Sequence, residues 1–481
     1  MLKPEPHVKN NLTLAKLPLI YLLIEIPICT LLFLDLPTSI IFGLGKLRVI
    51  QIVGKRVEYG SMMPPEAKKH CCQSLTLDVL SKLPENVIDA ILMCLPFRDA
   101  VRTSILSKVW RNKWCRLPEL TLDDTVWKTK KNVAFRTTEI TQIIYHILIY
   151  HVGPITKFIL CVPKSRSCPM IDDLIYFLSK NGIRHLVVRL PFKGDPYELP
   201  PSFFKCVQLR RLTLQNCLIL PPLSFKGFDR LISLELCEVT ISSKLLGSLI
   251  SHCLLLEHLV LHIADSYSNV IEINAPRLRS FYFAGSMRSI FLKNIPLLER
   301  LSLTYSETDY LGAEKWDIVK FFESFSALEH LFLNMLFAAE ASEVPTRLPF
   351  NLNCVKKLDI NVDLYNSTEV SCALCLIRSF PYLQYMEIQE AYYKYDIADY
   401  RVELPSDVMF NHLREVKLTL ASGSIIEMQL AKLLLAKSPM LVSMLFKSCA
   451  VKGSATVKKL VAELTKFQCA SPKAEVVFIE N

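Results

Sequence analysis

The sequence of 481 residues has few of the features that mark an enzyme. It holds only 13 glycines and shows no glycine-rich phosphate-binding loop, no GxSxG and no HExxH. Cys372 and Cys375 have CxxC spacing, but they fall in an apolar helical run with no second pair, which favours core packing over metal or redox chemistry. The histidines have no carboxylate partner at ligand spacing. We therefore expect no catalytic residue, no metal site and no cofactor.

Regular cysteine pairing and a strong charge of one sign are also missing. The 16 cysteines often occupy apolar positions, as at Cys94, Cys217, Cys253 and Cys354, which indicates reduced thiols in a core rather than a disulfide framework. Residues 1–70 hold nine basic and five acidic side chains, which leaves 47 basic against 41 acidic for the remainder. That balance predicts no nucleic-acid partner. The 51% hydrophobic content allows a large core and more than one folding unit.

Residues 1–70 form a hydrophobic leader that differs from the rest of the chain. The stretch from residue 17 to residue 46 is apolar for long enough to span a bilayer. Glu25 and Asp35 fall inside it, however, and each charge costs about 2.5–3.5 kcal/mol at the centre of a membrane helix. Three prolines also weaken a continuous helix, and the stretch is too long for a signal peptide.

Three interpretations of the leader stay open: a membrane anchor, an added hydrophobic segment of unknown use, or a translation start placed too far upstream. We favour the last, with Met62 or Met63 as the working start. The expected location is then the cytoplasm, the nucleus or both, with membrane association only if residues 17–46 insert.

Residues 83–114 have the most specific pattern in the chain, with two Leu-Pro steps and two tryptophans. Pro84 suits the start of a helix whose apolar residues repeat at helical spacing, and Pro96 ends that helix. Asp99 is placed to cap a second helix. Ser107 is placed to cap a third, with Trp110 and Trp114 on one face.

This pattern resembles an F-box, with Val109 as a departure where the plant branch usually has a basic residue. The matching residues are Leu83, Pro84, Ile88, Ile91, Leu92, Leu95, Pro96, Ala100, Ser104, Leu106, Ser107, Trp110 and Trp114. The resemblance implies a three-helix module within residues 77–124 that docks on the Skp-family linker subunit of a cullin-RING ubiquitin ligase. The residues that it assigns to docking are Leu83, Pro84, Ile88, Ile91, Leu92, Leu95, Pro96, Leu106, Trp110 and Trp114.

The same stretch has two alternative interpretations. One is a small helical unit that packs on the rest of the chain and has no external partner. The other is a three-helix nucleic-acid reader, because six basic residues lie between Arg98 and Arg116. Pro118 argues against the reader, since it ends the last helix about two turns after Ser107, too early to fill a groove.

A repeat follows the F-box-like stretch. With L standing for any apolar residue, the frame LxxLxL begins at Leu209, Leu231, Leu256, Leu278, Leu298, Leu328, Val355, Leu383, Leu413 and Leu441, with weaker copies at Ile155 and Ile183. Each copy alternates over the length of a strand and then enters a helical or irregular return. One copy cannot bury its strand alone, so neighbours must stack into a solenoid with a parallel sheet.

The frame resembles leucine-rich repeats, and an ordinary α/β domain is the alternative. In such a strand the leucines face the core, so the residues beside them face the concave surface, where solenoids bind targets. The residues that we expect to contact a target are Arg211, His258, Tyr282, Arg300, Phe332 and Tyr385.

The last eighty residues resemble the FBD module that closes many plant F-box proteins with leucine-rich repeats. The match lies in Leu413, Val416, Leu418, Lys437, Ser438, Pro439, Leu441, Phe467, Ser471, Pro472, Lys473 and Ala474. The predicted order is an F-box at 77–124, a linker at 125–150, a solenoid at 151–404 and an FBD-like module at 405–481 that continues the repeat and caps it.

The expected fold class is α/β, with a short three-helix F-box before a leucine-rich-repeat horseshoe. The resemblances imply a non-catalytic substrate adaptor of an SCF-type ubiquitin ligase, which binds the linker subunit, through it a cullin, and an unknown target protein. The alternatives are a leucine-rich-repeat scaffold outside any ligase, or an interaction protein anchored in a membrane by residues 17–46.

Overall fold

The structure, a computed structural model, divides into two compact units, Met1–Lys193 and Gly194–Asn481. The residues that it describes are 83–127, 137–163, 170–191, 195–263, 270–285, 290–304, 317–335, 344–390, 408–420, 425–448, 462–464 and 466–480. The predicted leader at 1–70 lies outside this set.

The first unit begins with the F-box-like stretch, which holds helices α1 (Glu85–Met93) and α2 (Phe97–Arg102). Short 3₁₀ turns follow at Thr103–Ile105 and Lys113–Arg116. The second helix starts earlier than predicted because Pro96, not Asp99, occupies its N-cap, with φ −52°. The predicted third helix is wrong, since residues 107–112 form turns before the 3₁₀ segment.

The same unit continues with three parallel strands in the described region. Its elements after the F-box are β1 (Glu119–Leu122), α3 (Asp124–Trp127), α4 (Thr137–Tyr150), β2 (Lys157–Cys161), α5 (Ile171–Lys180) and β3 (His185–Arg189). The strands pair in the order β1-β2-β3. The predicted linker at 125–150 contains α4, which buries Ile140, Ile144 and Ile147 as the return helix of a repeat does.

The second unit consists of stacked strands with returns between them. Its elements are β4 (Tyr197–Glu198), β5 (Arg211–Gln215), β6 (Cys217–Leu218), β7 (Ser233–Cys237), α6 (Ser243–His252), β8 (His258–His262), β9 (Ile271–Asn274), β10 (Ser280–Ala284), β11 (Ile290–Lys293), β12 (Arg300–Thr304), α7 (Ile318–Phe322), β13 (His330–Asn334), β14 (Lys357–Val362), α8 (Ser367–Arg378), β15 (Tyr385–Glu390), β16 (Glu415–Leu420), α9 (Ile425–Lys437), β17 (Ser443–Ser448) and β18 (Glu475–Glu480).

Eleven of these strands lie side by side in one parallel arrangement, in the order β5-β7-β8-β10-β12-β13-β14-β15-β16-β17-β18. Each of the twelve predicted frames starts two residues before a strand of one of the two units, so the repeat is confirmed. The strands β1 and β18 were not predicted as repeats. The residues LPELTL from Leu117 to Leu122 fit the frame, but they lie within the predicted F-box at 77–124 and were assigned to it.

All three apolar residues of each frame are buried and form the core. In β12, for example, Leu301 is 1% and Leu303 0% exposed, and the residues beside them stay partly open. Burying one leucine contributes about 1.5–3 kcal/mol, so the stability grows with each stacked repeat. Capping side chains start the return helices, as where the Asn366 carboxamide accepts hydrogen bonds from the backbone N–H groups of Thr368 and Glu369.

Some returns contain short strands that the sequence pattern did not predict, with β4 paired to β6 and β9 to β11. Helix α6 approaches β9 so closely that a Cβ atom on Gly247 would lie 2.9 Å from the carbonyl oxygen of Glu272. Only glycine fits there without a shift of the backbone. Of the helices that the structure describes, none combines the length and the apolar character that a membrane crossing needs.

Candidate interaction surfaces

The predicted docking residues of the F-box lie mostly inside the module. The buried members are Leu83, Ile88, Ile91, Leu92, Leu95, Leu106 and Trp110, of which Leu92 and Trp110 have no exposed surface. Pro84 and Pro96 are exposed, and Trp114 is half-buried. The apolar face of α1 therefore forms the core of the module. A binding partner can contact only the side chains that remain exposed outside this core.

Several apolar side chains of the module are exposed, and we call them the F-box apolar surface: Pro84, Met93, Pro96, Ile105 and Val109. Met93 is 56%, Ile105 43% and Val109 45% exposed. The sequence pattern held a signal for Met93, since it falls off the stripe of Ile88, Ile91 and Leu92. Single exposed apolar side chains are common on protein surfaces, so these are candidates for docking because of their position on the F-box-like module.

Charged and aromatic contacts hold the two ends of the module together. Glu85, in the first turn of α1, accepts hydrogen bonds from Lys113 Nζ at 2.5 Å and from Arg116 at 3.1 Å. These contacts, with Lys113 first, lower the pKa of Glu85 below its usual value. Phe97 and Trp114 meet edge to face at 5.9 Å. The last segment of the module is therefore tied to its first and second helices.

Hydrogen bonds also join the module to the first repeats of its own unit. The backbone N–H of Val152 donates to the carbonyl of Cys115 at 2.8 Å, and His151 Nε2 lies 2.9 Å from the carbonyl of Leu117. Trp127, which is buried, donates its indole N–H to Cys161 at 2.6 Å. The F-box and strands β1 to β3 thus form one packed unit.

The second candidate surface is the solvent side of the parallel strands β5 to β18, which we call the open face. The register aligns its side chains in rows, one residue from each strand. The first row holds Arg211, Ser233, His258, Ser280, Arg300, His330, Lys357, Tyr385, Glu415, Ser443 and Glu475. Of the six predicted target contacts, four lie in this first row, and Tyr282 and Phe332 lie in the second row, two residues further along.

An ion-paired cluster occupies the open face from β13 to β14. His330 Nε2 lies 2.8 Å and Lys357 Nζ 3.2 Å from the same oxygen of Asp359, which is in the second row. The ammonium of Lys357 also sits 4.7 Å from the centre of the Tyr385 ring. The His330 and Lys357 side chains are therefore engaged within the chain.

The cluster extends to β16 through Tyr385 and Glu387. The Tyr385 hydroxyl donates to Glu387 at 2.8 Å, and Lys417 Nζ donates to the other oxygen of that carboxylate at 2.6 Å. Burial, followed by the hydrogen bond to Glu387, raises the pKa of Tyr385 above its usual value. Tyr385 is thus fixed in a network, whereas the sequence had suggested a free aromatic anchor.

Arg211, His258 and Arg300 differ from that cluster. Each is exposed, and in the part of the chain that the structure describes none of the three makes an ion pair. Phe332 and Tyr282 are half-buried, with the Tyr282 ring 5.0 Å from that of His262.

The cysteines have no site chemistry in the described regions. Cys372 and Cys375 are buried in α8, and burial raises their thiol pKa values to about 12 and about 11. Cys217 and Cys253 are buried as predicted, but Cys94 and Cys354 are exposed, so their apolar sequence context was misleading. Over the residues described, no group of three or more His, Cys, Asp or Glu side chains is arranged to hold a metal ion.

Two family models match the chain. The F-box domain matches residues 80–121. A model described as "FBD-associated F-box protein At5g56370, LRR repeats" matches residues 171–388, where the structure has β3 to β15.

Individual relatives from Arabidopsis thaliana extend the likeness. The F-box/FBD/LRR-repeat protein At1g13570 is 33% identical over 424 residues, which cover 84% of this chain and 99% of that protein. The F-box/LRR-repeat protein At4g14103 is 25% identical over 387 residues, or 78% and 93% of the two chains. The putative F-box/FBD/LRR-repeat protein At3g49480 is 29% identical over 231 residues, or 44% and 50%.

Proposed function

The chain belongs to the plant family of F-box proteins with leucine-rich repeats and an FBD module, and from this membership we propose that it is the substrate-recognition adaptor of an SCF-type cullin-RING ubiquitin ligase. Its domains give it a role in protein interaction. F-box domains generally bind Skp-family linker subunits. In this proposal the module docks such a subunit, and through it a cullin, while the repeats hold a target protein.

The observation that carries the proposal is the F-box apolar surface. The module has a closed core around Leu92 and Trp110, yet it leaves Met93, Ile105 and Val109 exposed. Large apolar side chains on a rigid support are typical anchors of a protein interface. Met93 lies at the end of α1, Ile105 in a 3₁₀ turn and Val109 in the turn that follows, so docking through them requires no rearrangement of the core.

The adaptor acts by positioning. Holding a target lysine near a ubiquitin thioester converts a bimolecular encounter into one within a complex and raises the effective concentration. This needs no reacting side chain in the chain itself, and so we assign it no catalytic residue, metal or cofactor.

The test is co-purification of a Skp-family linker subunit with the full chain. The variant Ile105→Asp/Val109→Asp places charges on the F-box apolar surface and should lose the subunit, because a buried unpaired charge is costly at an interface. Val207→Asp/Leu254→Asp is the matched control, since both residues are exposed apolar positions of the second unit, at 57% and 63%.

Retention of the linker subunit by the F-box variant would refute docking through this surface. Failure of the unmodified chain to bind the subunit would favour a scaffold outside any ligase. Both variants should match the unmodified chain in their far-ultraviolet circular dichroism, which shows that folding is intact.

A further inference from the structure

Five adjacent strands of the second unit, β5, β7, β8, β10 and β12, present a regular pattern in the first row of the open face. The residues are Arg211, Ser233, His258, Ser280 and Arg300, so that a nitrogen-bearing side chain alternates with serine. We call this set the basic row. The register places these residues side by side although Arg211 and Arg300 are 89 positions apart in the sequence.

Exposure and charge separate the basic row from its neighbours. Arg211, His258 and Arg300 are exposed, whereas the serines between them are half-buried. In the second row of the same strands Glu235 is the acidic residue, and it accepts a hydrogen bond from Thr213 at 3.2 Å. The basic row ends at Arg300, because the first-row residues of the next two strands, His330 and Lys357, both contact the carboxylate of Asp359.

The spacing of the basic row suits one shape of ligand. Neighbouring strands lie about 4.8 Å apart, so alternate strands place their side chains roughly 10 Å apart. A polyproline II segment has three residues per turn and rises about 3.1 Å per residue, so its side chains return to the same face every 9.3 Å or so. Such a segment laid across the strands would offer every third side chain to Arg211, His258 and Arg300.

We propose that the basic row binds an extended acidic segment of a target protein, with carboxylates at every third residue. Each guanidinium can hold a carboxylate through two N–H groups, and the serine hydroxyls and the His258 ring add donors. Tyr282, in the second row beside Ser280, offers an aromatic surface to the residues between the acids. This inference rests on the proposed function, since it names the target chemistry that the repeats would select.

The probe is a fluorescein-labelled peptide with three aspartates, each separated from the next by two prolines. Two control peptides have asparagine in place of aspartate, or the three aspartates adjacent. Anisotropy titrations with the full chain, which do not require the linker subunit to be bound, should show the spaced acidic peptide binding at least tenfold more tightly than either control. Its affinity should also weaken as salt increases, because exposed charges are screened.

The protein variant is Arg211→Glu/Arg300→Glu, which should weaken binding of the spaced peptide at least tenfold. Arg277→Glu/Arg347→Glu is the matched control, since it makes the same change in net charge at two exposed arginines outside the basic row and should bind as the unmodified chain does. Equal affinities of the two double variants, or of the spaced peptide and either control peptide, would overturn the inference.

Linker-subunit co-purification from the same preparations separates this inference from the proposed function. If the subunit is retained and the peptide fails to bind, the basic row is not an acidic-segment site, while the adaptor role stands. If the subunit is lost from the unmodified chain, the adaptor role itself fails.

Discussion

The F-box module and the open face of the repeats differ in what their apolar pattern reveals. In the F-box, most of the apolar residues that match the family form the core, whereas Pro84 and Pro96 of that pattern are exposed together with side chains outside it, such as Met93 and Ile105. In the repeats, the leucines are also the core, but the intervening residues necessarily face outward because strands alternate. In a strand, the apolar pattern therefore also indicates which residues face outward. In a compact helical module, the apolar pattern does not indicate which side chains stay exposed.

The largest expected effect comes from the core of the F-box. Trp110→Ala should destabilise the module by about 3–5 kcal/mol, because Trp110 is fully buried and its removal leaves a cavity in the core. The linker subunit should be lost together with the fold. Thermal unfolding followed by circular dichroism would measure this. Trp114→Ala, at a half-buried position, should cost less, and equal losses for both tryptophans would contradict the distinction.

A core leucine of the repeats provides the comparison from the other region. Leu331→Ala should cost about 2–5 kcal/mol, since the side chain is 0% exposed in β13. Linker-subunit binding should nevertheless persist, because the F-box has its own core. Ser302→Ala on the open face is the control and should change the free energy of unfolding by no more than about 0.5 kcal/mol. Loss of the linker subunit with Leu331→Ala would show that the two cores are not independent.

A buried carboxyl in a return helix should make stability depend on pH. Glu369 is 1% exposed, and burial raises its pKa from 4.5 to about 7, although its carboxylate accepts a hydrogen bond from the backbone of Asp363 at 2.9 Å. The folded state therefore keeps the proton that the unfolded state releases near pH 4.5. The contribution of Glu369 to the free energy of unfolding should therefore fall by about 3 kcal/mol as pH rises from about 4.5 to about 7. Above that pH it should stay constant.

Urea unfolding at pH 5 and pH 8 would test this expectation. Glu369→Gln should show a smaller loss of stability between the two pH values than the unmodified chain, because the amide does not titrate. An unchanged difference between the two pH values would assign the pH dependence to other groups.

The smallest effect on folding is expected on the open face. Arg211→Ala and Arg300→Ala should each change the free energy of unfolding by no more than about 0.5 kcal/mol, since both side chains are exposed and unpaired within the described residues. Linker-subunit co-purification should be unchanged. A loss of stability comparable to that of Leu331→Ala would mean that the open face contributes to the core and is not free for a partner.

Much of the fold was predictable because periodicity is a local property. The frame at Leu209 or Leu383 states which residues point inward, and each predicted frame leads into a strand. The strand β1 was not predicted although Leu117, Leu120 and Leu122 fit the frame. These residues also fall within the predicted F-box at 77–124, so they were assigned to the F-box and not to a repeat. The helix at residues 137–150 was not predicted. Its apolar residues come with no capping or turn signal, so the sequence pattern did not distinguish the return helix of a repeat from a linker.

The sequence by itself determined the F-box pattern, the number and spacing of most repeats, and the inward face of each strand, because these depend on residues close together in the chain. Tertiary structure alone decided which F-box side chains remain exposed, since that depends on how α1 packs against the segment around Trp110. It also decided that Asp359 engages His330 and Lys357, whereas Arg211, His258 and Arg300 make no ion pair with any residue that the structure describes. Those relations depend on which side chains of strands 20 to 30 residues apart contact one another, and no local pattern specifies such contacts.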